Sequence, residues 1–468
     1  MKTIARLIAP ASVLFIVCAA SGQQREYFSD RIFDPETEIP VAFGADYYDN
    51  IVKNRPIYEL SFDEWFNGPH ALAHWFGARR LAENIGVVPA VSYIGNFAAN
   101  PSGGLSRGAA NSSSVNLALG LDLEKISGKS SLKGWSIGNT WVWRFGGSLT
   151  KNKIGNIFNV QQNYGSQTIQ LQSLFADYVK EFLADWRLSL KFGRFAAGDN
   201  FMTKPIYWLY QNNAFDGSPV GVFYQTKFSA YPASAWAAFS QISRKSGEYA
   251  KAGVYKINTD EQAGAHGLDF GFRGGGVNAN FEAGKNFNHD ASGKSPANVS
   301  AGLVSQWCEN PHIDNPMESS PFNCSLYVQA DCMVWNMGYV KRGEARYIER
   351  ESDKWRDLRG VVLWGALQYD PFENLAQMPF FANGGILFNA PFESRADDVL
   401  CFGAAYGKLS DKYIGALHGS HEIALELNYK FQLNRFAFLQ PNLQYILNAG
   451  GGTCPDAFVI GLQFGFNL

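Results

Sequence analysis

Nowhere do the 468 residues run through the roughly 18 to 20 uninterrupted apolar positions that a membrane helix needs, so a helical span is excluded. No block of Lys and Arg stands out either: 40 cations face 42 anions, for a formal charge of -2. Without a basic domain, nucleic acid is excluded as a partner. No Ser, His, Asp constellation and no phosphate-cradling Gly loop appears. Asp397 and Asp398 are adjacent, so on extended chain they face opposite sides and cannot flank one glycosidic bond. His70 and His74 have the four-residue spacing of a metal-binding pair, but no Glu follows His70 and no third ligand is near. The expectation is therefore a non-enzyme without metal or cofactor.

What is abundant is aromatic side chain, with 36 Phe, 21 Tyr and 12 Trp. The chain opens with Lys2 and Arg6, an apolar run over 7–20, and the small residues Ala19, Ala20, Ser21 and Gly22, which reads as an export signal over 1–22. Cys18 follows the bulky Val17, which does not suit a lipoprotein site. Residues 23–67 are mixed and acidic, with Pro35, Pro40 and Pro56, and read as an irregular extension. Over 68–88 the pattern is helical: Pro69 suits a start, Gly86 a stop, and Leu72, Trp75, Phe76, Leu81 and Ile85 do not alternate.

From residue 89 to 468 the period becomes two. In the last twelve residues Phe458, Ile460, Leu462, Phe464, Phe466 and Leu468 share one face, and Val459, Gly461, Gln463, Gly465 and Asn467 the other. The same split recurs over 186–193, 268–273, 277–284 and 422–431. Strands greasy on one face and polar on the other, behind an export signal, predict an all-β transmembrane antiparallel barrel of about sixteen strands. The link around 432–435 is short and those over 409–420 and 447–455 are longer, as periplasmic turns alternate with external loops. Gly274, Gly275 and Gly276 read as a tight hairpin turn. Five cysteines follow the signal, and Cys308 and Cys324, flanking the polar stretch 309–323, can close an external loop by a disulfide. The odd count leaves at least one thiol free or paired between chains.

Several segments resemble the carbohydrate-selective porin family of OprB-like outer-membrane proteins. Trp75, Gly77, Arg79 and Gly86 fall on that family's N-terminal motif, with Phe76 at its second Gly and His74 at its Asp. Tyr93 followed by residues 99–104, then 190–194 with Asp199, Asn200 and Phe201, then Asn213, Ala214 and Phe215, continue the match. Glu426, Leu427, Asn428 and Tyr429, residues 439–445, and Asn448 to Gly451 are its most specific part. The resemblance implies a sixteen-stranded barrel, narrowed by N-terminal helical and loop segments, that passes small sugars by facilitated diffusion across the outer membrane. A pore for other nutrients such as amino acids, and a secreted glycan-binding β-protein, are the alternatives.

Alternation places Arg187, Lys191, Asp269, Arg273, Glu282, Glu426 and Lys430 on the water side, where charged groups exchange hydrogen bonds with solute. Arg79 and Arg80, on the helix expected inside the barrel, would stand at its narrowest point. Arg194 is in step with the lipid row of its strand, so it is expected at a strand end or bulge, tying the following loop to the wall.

Overall fold

The computed structural model describes residues 60–468 except 67–69, 74, 184, 216–220, 222, 223, 225, 258–265, 273, 289–293, 341–354, 356, 357, 413–418 and 435. The export signal over 1–22 and nearly all of the extension over 23–67 lie outside the described residues. Sixteen strands close into one antiparallel barrel. They are β1 (Val87–Ser102), β2 (Gly108–Asp122), β3 (Trp135–Gly146), β4 (Ile169–Phe182), β5 (Trp186–Phe195), β6 (Ala235–Arg244), β7 (Glu248–Lys256) and β8 (Val277–Phe287). The second half is β9 (Ala297–Pro311), β10 (Ser319–Tyr339), β11 (Leu358–Tyr369), β12 (Phe380–Asn389), β13 (Val399–Lys408), β14 (His421–Gln432), β15 (Ala437–Leu447) and β16 (Ala457–Asn467). Each strand pairs with its chain neighbours, and β1 closes on β16 with Asn96 opposite Gln463. Closure leaves no unpaired ladder edge for lipid to face.

The two faces fall where alternation puts them. On β16 Ala457, Val459, Gly461, Gln463 and Gly465 are buried inside, while Ile460 and Leu462 are exposed on the outer wall. On β14 Glu422, Ala424, Glu426, Asn428 and Lys430 are buried inside, and Leu427 and Phe431 are exposed outside. The shortest links, 183–185, 245–247 and 433–436, share one end, which is periplasmic by this asymmetry; the long links 147–168, 196–234 and 257–276 share the other.

Two short helices precede β1, α1 (Phe62–Phe66) and α2 (Ala78–Asn84), with a 3-10 turn over Trp75–Gly77 between them. Gly77, at φ 90°, is the left-handed joint that prevents the single helix the sequence suggests. The segment is fastened at the periplasmic rim. Ala71 N donates to the Asn467 carbonyl at 2.9 Å, and the Trp65 ring lies 5.3 Å from Phe436 in the 433–436 turn. Residues 147–168 and the described residues of 196–234 fold into the lumen from the external end. The sequence pattern expects the helix over 68–88 to supply the constriction; its described residues Ala71 and Arg79 bond to the last two residues of the chain at the periplasmic rim.

Residues 268–272 are not a strand. Their alternation is real, but they form no ladder; they lie as a strap over the outer face, where the Phe272 ring stacks on Trp236 of β6 at 5.0 Å and Phe270 packs on the same ring. Residues 274–276 lead from this strap into β8, so they are no hairpin turn between strands. Arg194 does point out from β5, as its row demands, yet it is only 2 % exposed. Its guanidinium bonds the Asp269 carbonyl and lies 5.2 Å over Phe270, so the strap covers a cation that would otherwise face hydrocarbon.

The disulfide expected between Cys308 and Cys324 is not formed. All five described cysteines are free. Cys324 pairs across the ladder with Ser305, three residues from Cys308, a separation of about 10 Å along the strand. Cys308 points inward, where its thiol donates to Asn310, whereas Cys324 lies between the buried inner residues Asn323 and Ser325 and so points outward. Opposite faces and that spacing prevent a bond.

Candidate functional site: a lumen filled on one side

Backbone carried into the barrel loses water, so its N–H and C=O groups need protein partners. The inner wall of β11 to β15 and β1 supplies them. The Glu422 carboxylate accepts from Ile157 N at 2.8 and 2.9 Å, Phe158 N at 2.8 Å and Gly450 N at 2.7 Å. Glu426, four residues along the same face, accepts from Gln211 N at 2.9 Å and Asn212 N at 2.8 Å. Side-chain amides complete the attachment. Gln440 and Asn428 donate to the Leu209 carbonyl at 2.6 and 3.0 Å, Gln444 to the Val160 carbonyl at 3.0 Å, and Gln161 back to the Asn96 carbonyl at 2.8 Å. Between these bonds lies an apolar cluster in which Phe158 meets Phe381 edge-on at 5.7 Å and Tyr210 packs against Phe215 and Trp364.

The opposite wall is less covered in its periplasmic half, while toward the external end Phe195, Phe239 and Tyr255 are buried against Phe201. On β5 to β7 the inward residues Arg187, Ser189, Gln241, Ser243 and Tyr249 are half-buried, whereas Glu422, Glu426 and Gln440 are no more than 1 % exposed. Two ion pairs mark this side. Lys251 lies 2.8 Å from Glu282, whose other oxygen accepts from Tyr327 Oη at 2.8 Å and Met202 N at 3.1 Å. Lys204, on the inward loop, lies 3.1 Å from Asp331 and also donates to Asn298. Tyr249 sits over Gly284, where a Cβ would come within 2.5 Å of its hydroxyl, so the glycine provides the seat for the ring. Lysines, a carboxylate, amides and one aromatic face on a single strip can bond hydroxyls and stack on an apolar ring face.

The residues named from the sequence divide among these surroundings. Arg187 is half-buried on the inner face near the periplasmic end. Lys191 also faces inward, 6 % exposed, with its ammonium 4.6 Å over Phe175 and 5.5 Å from Phe195. Glu282 and Glu426 face inward as expected but are sealed under loop backbone, and Lys430 is 6 % exposed over Phe438. Covered carboxylates of this kind cannot touch solute. Asp269 is corrected outright: it belongs to the outer strap, and its carboxylate accepts from Gly271 N at 2.9 Å. Arg273 lies outside the described residues, as does the side chain of Arg80. Arg79 is buried at the rim, paired with Glu83 at 2.7 Å and bonded to the Leu468 backbone oxygen at 3.2 Å.

Sequence reasoning missed Tyr249, Lys251, Lys204, Asp331 and Glu422. Tyr249, Lys251, Gly253 and Tyr255 do alternate with Ala250, Ala252 and Val254, so the first two were within reach. Lys204 sits in an aperiodic loop, and nothing local announces its partner 127 residues away. Among the described residues, no group of three or more His, Cys, Asp or Glu gathers as a metal site, and His70 is buried at the rim.

Comparison with known proteins gives a consistent picture. A model of the carbohydrate-selective porin, OprB family, matches residues 106–468. Porin B of Pseudomonas aeruginosa is 25% identical over 445 residues, spanning 85% of this chain and 91% of that protein. The putative porin QuiX of Acinetobacter baylyi is 23% identical over 442 residues, spanning 85% and 92%. The high-pH structure of Pseudomonas putida OprB superposes with a TM-score of 0.73 at 22% identity, covering 86% of this chain and 98% of that one, a likeness of fold.

Proposed function

The chain belongs to the carbohydrate-selective porin (OprB) family and is an outer-membrane porin for sugars; from that premise we propose that sugars pass along the periplasmic half of the inner face of β5 to β7, across from β14 and β15. One observation carries this reading: the inward residues of β14 and β15 are sealed under loop backbone, while Arg187, Ser189, Gln241, Ser243, Tyr249 and Lys251, in the periplasmic half of β5 to β7, are only half-buried. Tyr249 offers a flat apolar face on this strip with Lys251 beside it, and Lys204, 8 % exposed, borders it as an ion pair with the half-buried Asp331. A sugar losing water on entry exchanges it for these groups. Arg187 extends the strip as a further donor. The family and fold are those of a channel rather than an enzyme.

Liposome swelling tests the proposal. Tyr249→Ala and Lys204→Ala should alter relative permeation rates within a panel of sugars, each by several-fold, while leaving the protein folded. An unchanged ranking in both variants would place the selective surface elsewhere in the lumen.

A further inference from the structure

Two glutamates on the covered wall take part in no solute contact, yet they hold the bends of both inward loops. We infer that Glu422 and Glu426 are positioning residues for the pore: their carboxylates set where the loop body stands in the lumen, and so the width of the passage left on the far side. The inference rests on the reading of the chain as a sugar porin.

The chemistry favours carboxylates at these two points. Residues 422 and 426 share a strand face, so both side chains enter the lumen one above the other. Each meets two consecutive N–H groups of one loop, Ile157 and Phe158 at the upper point, Gln211 and Asn212 at the lower. An ionised carboxylate is acceptor-only and offers enough lone pairs for three donors, which an amide or hydroxyl does not. Glu422 uses the remaining capacity on Gly450 N, joining the β15–β16 loop to the same point. The two loops are also bonded to each other, Gln162 N to the Gln211 carbonyl at 2.8 Å and Asn213 N to the Asn159 carbonyl at 2.9 Å. They form one bonded body, fixed at two heights on this wall, while residues 200–204 of the second loop reach Lys251, Glu282 and Asp331 on the other side.

The rival account is that the apolar cluster of Phe158, Tyr210, Phe215, Trp364 and Phe381 holds the loops unaided. Planar-bilayer recordings on full-length Glu422→Ala and Glu426→Ala proteins separate the two. Glu422→Gln and Glu426→Gln serve alongside, since each keeps one acceptor oxygen and the same volume. Channels blocked by sugar in the wild type establish the underlying reading in the same bilayers. The inference expects the Ala variants to gain conductance on the order of twofold, as the loop body leaves its wall, and to admit longer oligosaccharides, with the Gln variants between them and the wild type. Heat-modifiable migration on gels should remain, showing an intact barrel. If an Ala variant does not assemble, its Gln counterpart decides by the same two readouts. Wild-type conductance and wild-type size limit in every assembled variant would overturn the inference, and would leave the sugar-porin reading standing.

Discussion

Lys251→Met gives the sharpest energetic test of how the lumen is held together. Lys251 Nζ stands 2.8 Å from Glu282 and donates to the Asn200 carbonyl at 2.9 Å. Glu282, 1 % exposed, keeps only Tyr327 Oη and Met202 N once the ammonium is gone. Removing one partner of a buried pair leaves an uncompensated charge, which costs about 3–5 kcal/mol. Glu282→Gln is milder, because Lys251 retains the Asn200 carbonyl and reaches the lumen; the loss is that of charged hydrogen bonds, about 1–3 kcal/mol. In Lys251→Met with Glu282→Gln no buried charge remains. The double variant should therefore fall short of the summed single effects by about 1–3 kcal/mol. Urea titration of the folded, heat-modifiable band in lipid vesicles measures all three. A Lys251→Met effect within about 0.5 kcal/mol of zero, or strict additivity, would refute the claim that Glu282 is a buried anion dependent on Lys251.

Leu462→Arg, at the middle of β16 on the lipid face, should cost about 2–4 kcal/mol and impair assembly, whereas Ser189→Arg on the half-exposed inner face of β5 should assemble; equal assembly yields would reverse the faces. Gln463 also faces inward but is 2 % exposed, so Gln463→Arg should cost about 1–3 kcal/mol through overpacking, an intermediate loss in the same assay. In the external 370–379 link, burial pushes the Asp370 carboxyl up to about 7 from an ordinary 3.8, against the pull of Phe372 N and the Asn323 side chain. The folded state then binds the extra proton between these values, so stability should fall as pH rises from about 4 to 7 and then level off, and Asp370→Asn should remove that slope in urea midpoints. Unreduced peptide mapping should find Cys308 and Cys324 unlinked and both alkylated after unfolding; a linked peptide would contradict their opposite orientations.

The wall of this barrel was legible because a strand with lipid on one side and polar groups on the other must alternate. Residues 422–431 and 457–468 carry that pattern without interruption, and their inner and outer faces fall as read. The lumen was less legible. Glu426 could be assigned an inward face, but its covering bonds to Gln211 and Asn212 span more than two hundred residues and leave no periodic trace. The inward loops satisfy their backbone through side chains rather than ladders, so no period marks them. Residues 268–272 show the opposite failure: a strap lying against the outside of a barrel faces the same apolar phase as a strand and acquires the same alternation. Arg79 illustrates a third limit, since a helix motif says nothing of which end of the barrel receives it, and its partners are Glu83 and the end of β16.

Single-channel recording of the wild-type protein, with a sugar titrated into one chamber, tests the central claim most directly. The account predicts discrete openings narrowed by the loop body, with current that falls saturably as sugar occupies the strip along β5 to β7. Large openings whose current no sugar reduces beyond the change in bulk solution conductivity would contradict it.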